Sequence, residues 1–162
     1  MSRIMLFGKA VEVVEKKSAG ELIEFKDGKI IMPSVAADPR SLKEFLADQL
    51  YTELCSVYDE IKKSAKVELF GNTDFVIMEK IDGRRDRVAK LKGSKILVKL
   101  AAVTLPKEAL KYVLAHELAH VSAKRHTPKF WKVVQTIYPG YKVGEESFAR
   151  GKQLLASGNA YE

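Results

Sequence analysis

Apolar and polar residues alternate along the first third of the chain, with the two-residue period of β-strands. Two of these runs, GELIEF and GKIIMP, flank Lys26-Asp27, and the Asp27-Gly28 pair is a turn signal between them. Because an Asp-Gly pair suits the left-handed backbone of a tight two-residue turn, we expect the two runs to form a β-hairpin.

The apolar positions change to a helical period after Asp38. Apolar side chains recur every three or four residues over 42–61, and Asp38 and Pro39 are residue types typical of a helix N-cap and first turn. We expect a long helix here, with its apolar face buried against a sheet. The later runs DFVIMEKI and KILVKLAAVTL are rich in β-branched and apolar residues and predict two more strands.

Helical patterns account for most of the chain after residue 105. Pro106 and Pro128 suit a first helical turn and predict helices over about 106–123 and 128–138, and a last helix is expected over about 145–156, ending before Gly158. The order of strands, helix, strands and helices predicts an α+β domain. Since 162 residues fit one domain, we expect a single domain over 1–162, with its core at about 20–150 and a short polar C-terminal tail.

The charge of the chain is +7, from 28 basic and 21 acidic residues, and the excess is uneven. The segment Lys80–Lys95 holds seven basic residues and two acidic ones. Such a run either attracts phosphates and acidic substrates or is simply a solvated hairpin. Its arginines, Arg84, Arg85 and Arg87, are candidate contacts for a substrate or a nucleic acid. It lacks the interleaved aromatic residues that stack single-stranded bases.

The single cysteine and the N-terminal sequence bear on the compartment. Cys55 has no partner for an intramolecular disulfide, and its apolar neighbours favour a small buried residue. The apolar run that ends before Gly8 is too short for a signal peptide or a membrane span. We therefore expect a cytoplasmic protein without a membrane partner. The sequence does not indicate the oligomeric state.

All three histidines lie in HELAHVSAKRH, residues 116–126. On the helix that begins near Pro106, His116 and His120 are four residues apart, so their rings project together from successive turns, as two ligands of one ion would. Glu117 lies within an apolar stripe of the same helix, where a carboxylate is costly unless a cation or hydrogen-bond donors lie beside it. That stripe comprises Leu110, Val113, Leu114, Leu118 and Val121.

His126 joins the other two histidines only if the chain turns back. In a continuous helix it would be too far along the axis to share an ion, so we expect the helix to end near 122–124. Thr127-Pro128 agrees, since the residue before a proline avoids the α region. Three imidazoles that leave a fourth position to water are typical of catalytic zinc. A structural histidine cluster, a pH switch and other divalent ions are the alternatives.

This part of the chain resembles a known family. The segment YVLAHELAHVSAKRHTPKFWKVVQTIYPGY is similar to the core of the SprT-like and YgjP-like metallopeptidases, which are zincins. They share a HELAH helix, a His-[ST]-Pro-x-Phe-Trp segment and a Pro-x-Tyr stop. The resemblance implies a zincin-like domain in which a small twisted sheet packs against a long helix and an active-site helix. It also implies Zn²⁺ ligands at His116, His120 and His126, and a general base at Glu117.

Two departures limit the resemblance. YgjP-like proteins usually carry Trp-Gly-Ser-Cys before the strand that leads to the active-site helix, whereas residues 92–95 here read KGSK. The ligand spacing equals that of metzincins, but Ala123 occupies their glycine position and no methionine follows Met78, which argues against that group.

Zinc-dependent hydrolysis of a protein or peptide is the function that these residues predict. The first alternative is a nucleic-acid-associated SprT-like protein, which either cleaves DNA-bound proteins or holds zinc as a structural ion. The second is an inactive homologue that binds peptides. Arg125, Tyr138 and Tyr141 are candidate oxyanion donors, and the sequence does not choose among them. Phe130 and Trp131 are interpreted as core anchors, with substrate stacking as the alternative.

Overall fold

The computed structural model describes residues 2–17, 20–64, 73–82 and 87–156. Over these ranges the chain forms two small sheets and four α-helices, which confirms the predicted α+β class. The first sheet contains β1 (Ser2–Leu6), β2 (Lys9–Lys16), β3 (Glu24–Lys26) and β4 (Lys29–Pro33), in the order β1-β2-β4-β3. The second contains β5 (Asp74–Met78), β6 (Ala89–Lys92) and β7 (Lys95–Lys99), in the order β5-β7-β6.

The helices are α1 (Pro39–Ser64), α2 (Lys107–Ala119), α3 (Pro128–Ile137) and α4 (Tyr141–Ala156), and short 3₁₀ turns cover Ser34–Ala36 and Leu100–Thr104. Both sheets are mixed, because β2 pairs in parallel with β4 and β5 in parallel with β7. None of the described helices combines the length and the apolar content that a membrane crossing requires.

The hairpin predicted at Asp27-Gly28 is present. Both turn residues have positive φ, 53° at Asp27 and 74° at Gly28, and β3 pairs antiparallel with β4 beside them. A second hairpin joins β1 to β2 and places Ile4, Leu6 and Val11 in the hydrophobic core. The core therefore also draws on residues before position 20.

The β1–β2 turn is attached to the segment that leads into α2. The N–H of Phe7 donates to the carbonyl of Val103 at 2.8 Å, and the N–H of Gly8 donates to that of Thr104 at 2.9 Å. Gly8 has a φ of 84°, and a Cβ there would lie 2.9 Å from Cγ of Pro106, so both conformation and space favour glycine. The turn thus fixes the start of α2.

The long helix begins where the sequence predicts. The carboxylate of Asp38 accepts the N–H of Ser41 at 2.8 Å, which caps the N-terminus of α1. The buried side chains on α1 recur with helical spacing and face the core, where α1 contacts β5, α2 and the 3₁₀ turn before α2. They are Leu46, Leu50, Leu54, Val57, Tyr58 and Ile61.

Several boundaries differ from the predicted ones; the strand expected through DFVIMEKI, for example, ends at Met78. The strand expected through KILVKLAAVTL stops at Lys99, and Leu100–Thr104 form a 3₁₀ turn, because a short apolar run signals burial without specifying the backbone. The helix α2 ends at Ala119, earlier than the expected residue 123. Val121 is consequently 54% exposed and does not belong to the apolar stripe. At the other end of the chain, α4 begins at Tyr141, four residues before the expected start.

The helix α4 packs closely against α2. A Cβ on Gly144 would lie 2.6 Å from the carbonyl oxygen of Glu108 and 2.9 Å from Cβ of Tyr112, both on α2. Since the nearest of these atoms belongs to the backbone, moving it away from the added Cβ would cost free energy. Gly144 therefore sets the separation of the two helices.

We expect Gly144→Ala to lower the free energy of unfolding by about 1–2 kcal/mol, because overpacking outweighs the helix propensity that alanine gains. Urea unfolding of the two proteins would measure this difference. Gly140→Ala is the matched control, since its Cβ would meet its nearest atom, Cε1 of Tyr138, at 3.4 Å. Equal stability of the two variants would contradict the close packing of α4 on α2.

Candidate metal centre

The chain reverses direction just after α2. His120 caps α2, and the next residues close tight turns in which Val121 N–H donates to Leu118 O and Ser122 N–H to Ala119 O, both at 3.1 Å. These bonds span three residues instead of four, so the helix cannot continue as an α-helix.

A second capped helix follows the reversal. The side chain of Thr127 accepts the N–H of Phe130 at 3.4 Å, with Pro128 in the first turn of α3. His126 lies immediately before this cap. The prediction that the chain turns back between His120 and His126 is therefore confirmed, although the turn begins earlier than expected.

The three histidines converge on one point. One ligand atom each from His116, His120 and His126 can be chosen so that all three lie within 4.8 Å of one another, and each pair of ring centroids is 5.0 Å apart. Tetrahedral zinc with bonds of about 2.0–2.1 Å separates its ligand atoms by about 3.4 Å, so small ring movements suffice. Three imidazole nitrogens are also a donor set that zinc accepts. The three residues are positioned to hold a divalent metal ion.

The ring of Phe130 supports this cluster from the core side. Phe130 is fully buried, and its ring centroid lies 5.1 Å from that of His116, 4.7 Å from that of His120 and 4.9 Å from that of His126. Trp131 lies at the edge of the cluster and stacks on Tyr141, with centroids 5.8 Å apart. Phe130 is thus the core anchor that the sequence predicts, and it also packs against all three candidate ligands.

Hydrogen bonds orient two of the rings. Nδ1 of His120 lies 3.1 Å from the carbonyl oxygen of Ala123, and Nδ1 of His116 lies 3.1 Å from Oε2 of Glu117. A proton on each Nδ1 leaves the lone pair of Nε2 for an ion, which is the usual arrangement around metal-binding histidines. Burial, and next the neighbouring rings of His116 and His120, lower the pKa of His126. The neutral form that ligates metal is therefore favoured.

Glu117 is buried, as its position on the helical wheel predicts. It is 8% exposed, and its Oε1 accepts the backbone N–H of Leu91 on β6 at 3.1 Å. Its Oε2 faces the ring of His116. These two polar neighbours compensate a carboxylate that would otherwise be costly among apolar side chains. The contact with β6 joins two distant parts of the sequence and was not predicted.

An open cleft of about 570 Å³ contains the histidines and Glu117. Its other walls come from the segment 87–91, from α2 and from α4. The described residues of these walls do not include the predicted oxyanion candidates Arg125, Tyr138 and Tyr141.

The cleft wall includes instead a tyrosine that sequence reasoning missed. The hydroxyl of Tyr112 lies 3.3 Å from Oε2 of Glu145, and burial is the main cause that raises the pKa of Tyr112. A helical wheel could have suggested this residue, since Tyr112 precedes His116 by four positions on α2.

The basic segment contributes to the same cleft. Arg87 lines the cleft, and so does Lys90, whose Nζ pairs with Oδ2 of Asp82 at 2.7 Å. Arg84 and Arg85 lie outside the residues that the structure describes. Arg87 and Lys90 therefore face the cleft that contains the histidines. This part of the segment is not a hairpin that solvent surrounds on every side.

We expect the protein to bind about one zinc ion per chain, and His120→Ala to weaken that binding more than about tenfold because a direct ligand is lost. Competition titration with a chromophoric chelator would measure the affinity. Arg125→Ala is the matched control, because it removes an exposed side chain next to His126 without removing a ligand. Binding that is absent, or that His120→Ala leaves unchanged, would rule out the site.

Residues 2–150 match a family model described as YgjP-like, metallopeptidase domain. No curated protein and no solved structure gave a significant match. The matched range includes both sheets, the helices α1 to α3 and the whole of residues 116–126. The chain therefore belongs to the YgjP-like family of metallopeptidase domains, which confirms the resemblance and the zincin-like fold predicted from its sequence.

Proposed function

We propose that the protein is a zinc-dependent metallopeptidase, with His116, His120 and His126 as the zinc ligands and Glu117 as the general base. One observation carries the proposal: three imidazole rings converge beside a buried carboxylate, inside a cleft that is open to solvent. A cluster that served only to stabilise the fold would not need the carboxylate or the opening. Family membership supports the same reaction class.

The proposed reaction is hydrolysis of a peptide bond. When bound by the histidines, zinc supplies Lewis acidity, which brings the pKa of a water molecule toward neutrality and polarises the scissile carbonyl. Glu117 accepts a proton from the attacking water as the water oxygen bonds to the carbonyl carbon. The C–N bond then breaks, and Glu117 returns the proton to the leaving amine.

The neighbours of Glu117 suit that role. The N–H of Leu91 holds Oε1, so the carboxylate has a fixed orientation. Burial of the rest of the side chain keeps bulk water from competing for it. Among the described residues, Tyr112 also lines the cleft. Its hydroxyl group is carried by α2, the helix that also carries His116 and His120.

The setting of this activity is part of the proposal. Cys55 is the single cysteine and is free, which supports a reducing, cytoplasmic compartment. A protein or peptide is the proposed substrate. The nucleic-acid alternative stays a prediction that rests on the charge of Lys80–Lys95, and Arg87 in that segment faces the proposed catalytic cleft.

We expect Glu117→Gln to lower peptide hydrolysis by a factor of about 10² to 10⁴, because the amide cannot take up the proton. A fluorogenic peptide library, assayed on the zinc-loaded protein, would measure the rate. The amide oxygen can still accept the N–H of Leu91, but the amide NH2 would face Nδ1 of His116, so activity is compared at equal zinc content and the melting temperature is measured alongside.

Glu146→Gln is the matched control, since Glu146 lies on the exposed side of α4 and pairs with Arg150 at 3.2 Å. This variant is expected to retain the activity of the parent protein. Hydrolysis that survives Glu117→Gln, with zinc still bound, would exclude Glu117 as the general base.

A further inference from the structure

The cleft around the histidines carries an excess of cationic side chains. We propose that it selects acidic peptide segments as substrates, with Arg87, Lys124 and Lys152 contacting carboxylates of the substrate near the scissile bond. This inference rests on the proposed peptidase function and specifies the substrate class.

The three cations come from separate parts of the fold. Arg87 immediately precedes β6, Lys124 lies in the turn after α2, and Lys152 is on α4. They lie far apart in the sequence and meet at one cleft, so their convergence is a property of the tertiary structure. A local run of charge on one solvated face would not surround a cleft in this way.

Among the described residues, most of this positive charge has no ion-pair partner, although Asp82 also interacts electrostatically with Arg87. Among the described residues that line the cleft, one side chain is acidic, that of Glu117. Its carboxylate already contacts the N–H of Leu91 and the ring of His116. Among the described ion pairs, Lys90 is bound to Asp82, whereas Arg87, Lys124 and Lys152 take part in none. A bound divalent cation would make the cleft more positive still. A substrate with carboxylates would balance this charge.

The aromatic side chains of the described cleft wall favour a polypeptide over a single-stranded nucleic acid. Nucleic-acid grooves of that kind combine cations with exposed aromatic faces on which bases stack. The aromatic side chains of the described cleft wall, other than histidine, are Tyr112 and Phe148. Tyr112 is only 7% exposed, and Nζ of Lys152 lies 5.8 Å over the ring of Phe148. Neither ring offers an open stacking surface.

The size of the expected selectivity follows from the exposure of these side chains. Partly exposed charge pairs contribute modestly, which corresponds to about two- to fivefold for each contact. A peptide with two or three acidic residues near the cleavage site is therefore expected to be cleaved about tenfold faster, in kcat/KM, than a neutral peptide. The preference should shrink as the Debye length falls from roughly 30 Å at 0.01 M salt to about 8 Å at 0.15 M.

The test uses the zinc-loaded protein and three fluorogenic peptides of one length, which are acidic, neutral or basic on both sides of one cleavable bond. The ratio of kcat/KM for the acidic and neutral peptides is measured for the parent protein and for Arg87→Glu, Lys124→Glu and Lys152→Glu. Each of these variants is expected to lower that ratio about fivefold or more. Lys142→Glu, the same change on an exposed position of α4 outside the described cleft wall, is expected to leave it unchanged.

Binding supplies a second readout that does not depend on turnover. The same peptides are titrated by fluorescence anisotropy into zinc-loaded Glu117→Gln, with a short oligothymidylate as competitor. The acidic peptide is expected to bind most tightly, and the three cleft variants are expected to weaken that binding while Lys142→Glu does not.

The outcomes separate this inference from the proposed function. Equal cleavage of acidic and neutral peptides, lost in Glu117→Gln, would overturn the acidic preference and leave the peptidase intact. Charge-selective binding without hydrolysis would support the preference and overturn the peptidase. The oligothymidylate could displace the labelled acidic peptide at a lower concentration than the unlabelled acidic peptide requires. That result would overturn the preference for acidic peptides in favour of nucleic acid. Absence of both binding and hydrolysis would overturn both proposals.

Discussion

Burial of the Glu117 carboxylate is the constraint on which the site depends. A carboxylate among apolar side chains costs several kcal/mol unless polar groups surround it, so its partners must be held in place by the fold. Here they are the N–H of Leu91 on β6 and the ring of His116 on α2. The same hydrogen bond fixes the second sheet against the helix that carries two candidate ligands. The residue proposed to perform chemistry therefore also defines one wall of the cleft.

The opposite wall depends on close packing of α4 against α2 as well as on polar contacts between them. Gly144 lets α4 approach the backbone of α2 at Glu108, and this approach brings Glu145 within 3.3 Å of the hydroxyl of Tyr112. Lys152 lies further along α4, and it lines the cleft because α4 packs against α2. A sheet edge and a glycine-mediated helix contact thus position side chains from distant parts of the sequence around the histidine cluster.

The features that the sequence predicted correctly are those with a local cause. The Asp27-Gly28 pair determines the hairpin, and the side chain of Asp38 caps the start of α1. Glu117 is buried because its position on α2 lies among apolar side chains that face the core. Val121 was misplaced because α2 tightens into short turns after Ala119, which a regular wheel does not represent. The contacts of Leu91 and Lys152 with the site depend on tertiary packing, which periodicity alone does not encode.

The departure from the family pattern at residues 92–95 lies in the turn between β6 and β7. Lys92 and Lys95 pair across the turn between β6 and β7, and Gly93 has a φ of 64° there. All four residues are exposed, and the described cleft wall from this hairpin ends at Leu91. The missing tryptophan and cysteine would therefore occupy the far end of the hairpin, outside the wall beside Glu117. Since Arg87 and Lys90 lie in that wall and the turn does not, the charge that this segment adds to the cleft comes from residues before the turn, and the substitution at 92–95 lies away from the proposed catalytic groups.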